Sequence, residues 1–341
     1  MKLKIAVIII LVLVVGFTGW RIWKATRNDS SNTTSQEEVK KLPSINGELV
    51  DEDKATRRPI AVVIENHSDS RPQSGLNEAD IVYETLAEGG ITRFLAIFQT
   101  KDPKEAGPVR SARPYFNFLS NMWGASYVHA GGSKQALSEL ASRVHKNLFD
   151  VNEFSYGDYF YRDTERYAPH NLYTDIKDDQ RKLLQKKDEN LWQSRIIFQT
   201  QTTAPEQIIP EITKVTLPFS TDSYEATYTY DQQSNSYKRF IKSIATIDKN
   251  GSVQVSPKNV LIMLTDISTN PNDDLGTQNI KLTGNGPCFL FNNGKFKRCN
   301  WEYLENRHVY TDAEGLPLVL EAGQTWIEVF PRNRQNDIKW Q

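Results

Sequence analysis

Gly107-Pro108-Val109-Arg110-Ser111-Ala112-Arg113-Pro114 sets two arginines around a serine, immediately before a run with helical pattern. Ser111 is expected to cap that helix, with Pro114 tolerated in a first turn that needs no intrahelical donor. Arg110 and Arg113 would then flank a helix N-terminus, the positive end of its dipole. Guanidinium groups beside free backbone N–H groups suit a phosphate or a carboxylate. The same arginines have a plainer use, pairing with acids of their own domain such as Glu84 and Glu88. Both readings stand at this stage.

Tyr127-Val128-His129-Ala130-Gly131-Gly132-Ser133 repeats the logic as strand, glycine turn and helix cap. Glycines before a helix allow close backbone approach to a ligand and can form an anion nest. His129 faces this turn, as a ligand contact or as a satisfied structural histidine. Glu65-Asn66-His67 closes the first strand, at the sheet edge where open α/β folds place ligands. Arg93 opens another strand nearby. The candidate ligand-binding set is therefore Glu65, Asn66, Arg93, Arg110, Ser111, Arg113, His129, Gly131, Gly132 and Ser133. Tyr167-Ala168-Pro169-His170-Asn171, in a Tyr-rich loop after Arg162 and Arg166, adds further polar groups.

Other chemistries find less support. The glycine turn lacks the lysine and spacing of a P-loop. Glu65, His67, Asp80, His129 and His170 show no HxxxH, HxH or CxxC spacing, so no metal site is expected. No Gly-x-Ser-x-Gly elbow appears, and no cofactor fingerprint is read. Glu65, Asp80 and His129 are the acid/base candidates if the protein is an enzyme.

Strands and helices must position these groups. Pro59–Ile64, Ala79–Glu84 and Arg93–Phe98 read as strands, with Gly89-Gly90 turning between the last two. A helix over Ser111–Met122, a strand over Ser126–His129 and a helix over Ser133–Val144 follow. Such alternation indicates an α/β layer with part of its sheet parallel. Asp178–Trp192 reads as a polar, exposed helix. Beyond about Glu206 short strands dominate: Tyr224–Tyr230, Tyr237–Ile241, Val260–Leu264, a hairpin at Asn293-Gly294, His308–Tyr310 and Trp326–Phe330. The fold class is thus an α/β N-terminal domain plus a β-rich C-terminal domain, behind one N-terminal transmembrane helix. The expected divisions are an anchor over 1–24, a flexible stalk over 25–57, and domains over 58–205 and 206–341. No chemistry is read in the second domain.

The 341 residues carry a net charge of -1, which argues against a general nucleic-acid partner. With 38% hydrophobic and 24% charged residues, the chain has material for a sizeable core. The uncharged run Ile5–Trp20 would span ~24 Å as a helix at ~1.5 Å per residue. Snorkelling Arg21 and Lys24 and interfacial Trp20 and Trp23 extend its reach. No small-x-small site follows it, so an uncleaved anchor is expected over a cleaved signal peptide. Lysines and arginines flank both ends, and the positive-inside rule ties. Polar residues from Arg27 onward read as the stalk.

Cys288 and Cys299 are the only cysteines. Asn293-Gly294 between them signals a two-residue hairpin turn. Pairing around that turn sets Asn292 opposite Lys295 and Cys288 opposite Cys299. Either a cross-strand disulfide or two facing thiols fits, and the first implies an oxidising compartment.

Several motifs occur in a fixed order: the Pro59–His67 run, Arg71-Pro72-Gln73-Ser74-Gly75-Leu76, the Ala79–Glu84 run and Glu88–Phe94. Gly107–Arg113 and His129–Ser133 follow, then Asn259-Val260 and Gly323-Gln324-Thr325-Trp326. In these the chain resembles the YerB family of bacterial cell-envelope proteins, over roughly residues 58 to 335. The resemblance implies a lipoprotein-like location outside the cytoplasmic membrane, which breaks the orientation tie. Here an apolar anchor stands in place of a lipid-accepting cysteine. A looser resemblance is to membrane-anchored LytR-CpsA-Psr phosphotransferases, which hold a polyprenyl pyrophosphate with arginines. The expected function is a single-pass membrane protein with its body outside, binding a phosphorylated lipid or glycan. The alternatives are an enzyme on a phosphate-containing envelope substrate and an interaction module using exposed edge strands.

Overall fold

The computed structural model describes Lys24 and residues 40–341, apart from 188–197, 205–208 and 272–275. The expected anchor over Ile5–Trp20 lies outside the described residues. Among the described residues no helix is long and apolar enough to cross a membrane.

A ten-stranded mixed sheet organises the chain. Numbered along the sequence, its strands are β1 (Ile60–Glu65), β2 (Ile81–Leu86), β3 (Thr92–Phe98), β4 (Ser126–His129) and β5 (Phe149–Asn152). The C-terminal half supplies β6 (Asn259–Thr265), β7 (Asn285–Asn292), β8 (Lys295–Leu304), β9 (Arg307–Asp312) and β10 (Thr325–Pro331). Their spatial order is β9-β8-β7-β6-β10-β2-β3-β1-β4-β5. Every residue of β1, β3, β6 and β10 is buried, so both faces of these strands are covered rather than one facing solvent.

Successive side chains point to opposite faces, and two cores result. Ala61, Val63, Leu95 and Ile97 pack against helix α2 (Pro114–Trp123) and helix α3 (Lys134–Ala141). Ile60, Val62, Ile64 and Phe94 face the other way, onto Val215, Leu217, Tyr228 and Tyr237. Those residues belong to a five-stranded antiparallel sheet built from Lys214–Pro218, Glu225–Asp231, Ser236–Ile241, Ile244–Ala245 and Lys339–Trp340.

The N-terminal half thus mixes helices and strands, and the C-terminal half is β-rich. The halves nevertheless share one sheet. β10 pairs with β2 in parallel, Trp326 opposite Val82 and Glu328 opposite Glu84. The expected stalk is also shorter than the sequence implied. Residues 41–57 fold as a hairpin (Lys41–Pro43 with Leu49–Asp51) and a short helix α1 (Glu52–Thr56). Ile45 buries in the helix-side core, its N–H bonded to Gln99 Oε1 at 3.0 Å, while Asn46 donates to Asp80 at 2.8 Å. One apolar residue among polar neighbours hid this attachment.

The helix expected over Asp178–Trp192 is amphipathic where it is described, with Lys182, Gln185 and Lys186 exposed and its other face buried. A wide turn at Ile176–Gln180 leads into α4 (Arg181–Lys186), and Ile176, Leu183 and Leu184 are core residues. Arg181 bonds Asp102 at 2.9 Å, and burial pushes its guanidinium down to about 10.

The hairpin register holds as read. Asn293 and Gly294 both have positive φ, and Asn292 pairs with Lys295. Cys288 and Cys299 face each other with Cα atoms 4.7 Å apart and form a disulfide. Replacing both with serine should lower stability by ~2–3 kcal/mol, because the bond closes only a short loop. Urea midpoints of the oxidised and double-serine proteins check this; equal midpoints would show that the bond adds nothing.

Candidate functional site

The C-terminal end of β1 carries the densest set of charges. Residues 107–110 lie along this end of the strand: Glu65 N–H bonds Pro108 O, and Arg110 N–H bonds Val63 O, each at 2.9 Å. On its other side this segment meets the loop that carries His170, with Val109 N–H on Leu172 O at 2.6 Å. Gly107 makes that approach possible. Its φ is +150°, and a Cβ there would sit 2.8 Å from Leu172 O and from the Tyr173 ring.

Glu65 belongs to the helix-side face of β1, opposite Arg93 of β3. Its carboxylate is 1% exposed and lies between Arg110 Nε at 2.8 Å and His170 Nδ1 at 2.9 Å. Glu88 joins the next two arginines, Arg93 at 2.8 Å and Arg113 through a bidentate contact. Burial alone would raise the Glu88 carboxyl, but Arg93 and Arg113 outweigh it and hold it at about 2. Three guanidiniums thus face two carboxylates. One positive charge is left over.

Arg113 follows the plainer reading, sealed by Glu88. Arg93 donates to Ser111 O at 3.4 Å and is 2% exposed. Ser111 does not cap the helix. α2 starts at Pro114 with Arg113 at its N-cap position and no side-chain cap bond. A residue before proline is disfavoured in the α region, which delays the start past Ser111.

The glycine turn is not an open nest. Gly131 N–H goes to Asn152 Oδ1 at 3.1 Å, Gly131 O accepts Ala112 N–H at 2.9 Å, and Ser133 N–H bonds Ala112 O at 3.2 Å. The two strand-to-helix turns are stitched to each other. Gly132 is packed against Ala112, while Ser133 caps α3 by accepting from Ala136 N–H at 3.3 Å. His129 is fully buried, its ring nitrogens 2.7 Å from Gly131 O and from Asp150 Oδ1. Asp80 is consumed by Asn46, Gln99 and Thr100, and desolvation raises its carboxyl.

Over 301 residues the chain is 37% identical to YerB of Bacillus subtilis (strain 168), which carries the name of a lipoprotein; the match covers 86% of this chain and 87% of that one. The chain belongs to the YerB family. Residues 45–191 and 215–327 match the N-terminal and C-terminal domains of a family described as a protein of unknown function, DUF3048. The crystal structure of the B. subtilis YerB protein superposes with a TM-score of 0.78 at 33% identity, over 89% of this chain and 99% of that one.

In this YerB-family chain two groupings escaped the sequence reading. His67, Asp69 and His170 converge beside Glu65, although no spacing motif links them. Loop closure over about a hundred residues brings them together, and the only local hint was the polar end of β1. On the opposite face, the β-rich half contributes a buried polar cluster. Asn66 points there, bonded to Thr92 at 2.7 Å and near Glu84 at 3.4 Å. Glu84 takes Arg239 at 2.6 Å, both fully buried, and Tyr228 donates to Glu328 alongside. A cavity of about 640 Å³ opens above this group between Asn66, Arg71 and Ile244–Ile247. Nothing in the spacing of Glu84, Tyr228, Arg239 and Glu328 announces the cluster, because each comes from a different strand.

Proposed function

We propose that this protein is tethered to the cytoplasmic membrane with its folded body outside, where Arg110 binds an anionic group of a phosphate-bearing lipid or glycan. One observation carries the reading. Glu65 pairs with Arg110 on its Nε side at 2.8 Å, and no described residue bonds the two terminal amino groups of a side chain that is 24% exposed. A guanidinium held from behind and open in front presents a preset fork to phosphate oxygens. The surplus positive charge of the Glu65–Glu88 group favours the same ligand. The apolar run Ile5–Trp20, the lipoprotein name of the B. subtilis relative and the Cys288–Cys299 bond all support an envelope location.

The test is a titration of the detergent-solubilised full chain with vesicles containing a phosphate-bearing anionic lipid, and with a polyprenyl phosphate. Arg110→Ala should weaken the preferred ligand by ~1.5–3 kcal/mol, the worth of a charge-assisted hydrogen bond. Equal binding by the variant removes Arg110 from the site. Protease added to intact cells should digest the body; protection would overturn its placement.

A further inference from the structure

His67, Asp69 and His170 are assembled by two loops that the fold fastens to each other. His67 and Asp69 lie at the tight turn Ser68–Ser70 that leaves β1, where Ser70 N–H closes on His67 O at 3.0 Å. His170 sits in the 167–171 loop, its own N–H on Tyr167 O at 2.9 Å. Arg166 clamps that loop to the turn, donating to Ser70 O at 2.7 Å and Pro72 O at 2.8 Å. The two imidazoles stack with centroids 5.0 Å apart, and His67 Nδ1 lies 3.7 Å from Asp69 Oδ2. One donor atom from each of the three residues falls within 4.8 Å of the others.

We propose that His67, Asp69 and His170 form a binding site for a divalent transition-metal ion, with zinc the best match. Two imidazoles and one carboxylate are a borderline-soft donor set of the kind zinc accepts. The decisive feature stands behind them. His170 Nδ1 is bonded to the buried carboxylate of Glu65 at 2.9 Å, which fixes the ring and leaves Nε2 as the nitrogen for a metal. A carboxylate on the far nitrogen is the usual support of a metal-binding histidine. Bonds of ~2.0–2.1 Å in a tetrahedron require donor atoms roughly 3.3 Å apart. His67 and Asp69, with side chains 38% and 68% exposed, are free to close that gap. Three protein ligands leave a fourth position for solvent, and Arg110 contacts the other oxygen of the same Glu65 carboxylate. The metal site does not depend on Arg110 binding any anion.

The experiment uses the full chain in detergent, stripped with a chelator and then titrated calorimetrically with zinc chloride; cobalt substitution gives an independent visible spectrum. One ion per chain is expected, with the intense visible bands of tetrahedral cobalt. Glu65→Gln keeps the shape but weakens the support, and should cost ~10–100-fold in affinity. His67→Ala and His170→Ala should each cost more than that. His145→Ala, at a histidine paired with Glu139 elsewhere, should bind as the unaltered protein does. His67 is at the surface, so its variant reports on ligation without threatening the fold; circular dichroism melts verify this for all four. Absence of zinc binding by the unaltered protein, or binding that survives loss of both His67 and His170, overturns the proposal.

Discussion

Arg239→Met is expected to be among the most damaging single substitutions in the body, lowering unfolding stability by ~3–5 kcal/mol. Arg239 projects from the strand Ser236–Ile241 of the five-stranded sheet and is fully buried against the main sheet. It reaches Glu84 at 2.6 Å, Thr246 at 2.8 Å and Tyr228 at 3.3 Å, with the Trp326 ring 4.7 Å from its guanidinium carbon. Methionine preserves much of the stem but leaves Glu84 without its cation at zero exposure. Breaking such a pair is costly because the surviving charge has no water to return to. Adding Glu84→Gln should recover a large part of the loss, since these partners interact directly. Urea midpoints of the parent, both single variants and the double variant complete the cycle. A loss below ~1 kcal/mol for Arg239→Met, the range of an exposed pair, would mean that this contact does not hold the layers together.

The second large effect is a pH dependence. Glu328 stands opposite Glu84 across β10 and β2. Burial raises its carboxyl well above the ordinary range, and the Glu84 carboxylate beside it adds to the rise. The folded protein therefore retains a proton that the unfolded chain releases near the ordinary glutamate value. Native protein then binds more protons than the unfolded chain, so stability falls as pH rises from that value towards the folded one. The slope from this group approaches ~1.4 kcal/mol per pH unit. Glu328→Gln mimics the protonated side chain and titrates in neither state. Its advantage over the parent should be smallest near pH 4.5 and grow as pH rises towards the folded value. Urea melts of both proteins at several pH values from 5 to 8 decide this, and parallel curves would refute it. Glu88 contributes with the opposite sign, its stabilisation disappearing below the usual carboxylate range, so the difference between the two proteins is the informative quantity.

These groups illustrate what was legible in the chain. The Asn293-Gly294 turn fixed a register that carried through to Cys288 and Cys299, because a two-residue loop leaves no freedom of pairing. Glu65 and Arg110 were legible as polar groups of one strand end and one turn, and the structure brings them into contact. Arg113 followed its alternative reading once Glu88 came within reach. Pro114, read as tolerated in a helix begun at Ser111, in fact postponed that helix. His67 with His170, and Glu84 with Arg239 and Glu328, were illegible for a common reason. Their meeting depends on long-range loop closure and strand order, which alternation of polar and apolar residues does not encode.

The interleaving of β6 and β10 with β2 has a consequence for biogenesis. A nascent chain that has emerged only as far as the first two hundred residues owns an unfinished seam, with β2 lacking its neighbour until β10 arrives from far downstream. Such an exposed edge invites wrong partners. If this body is threaded across a bilayer, the half-delivered molecule needs a chaperone or speed to protect that seam. Cutting the gene between the two family halves would leave each fragment holding one side of a zip.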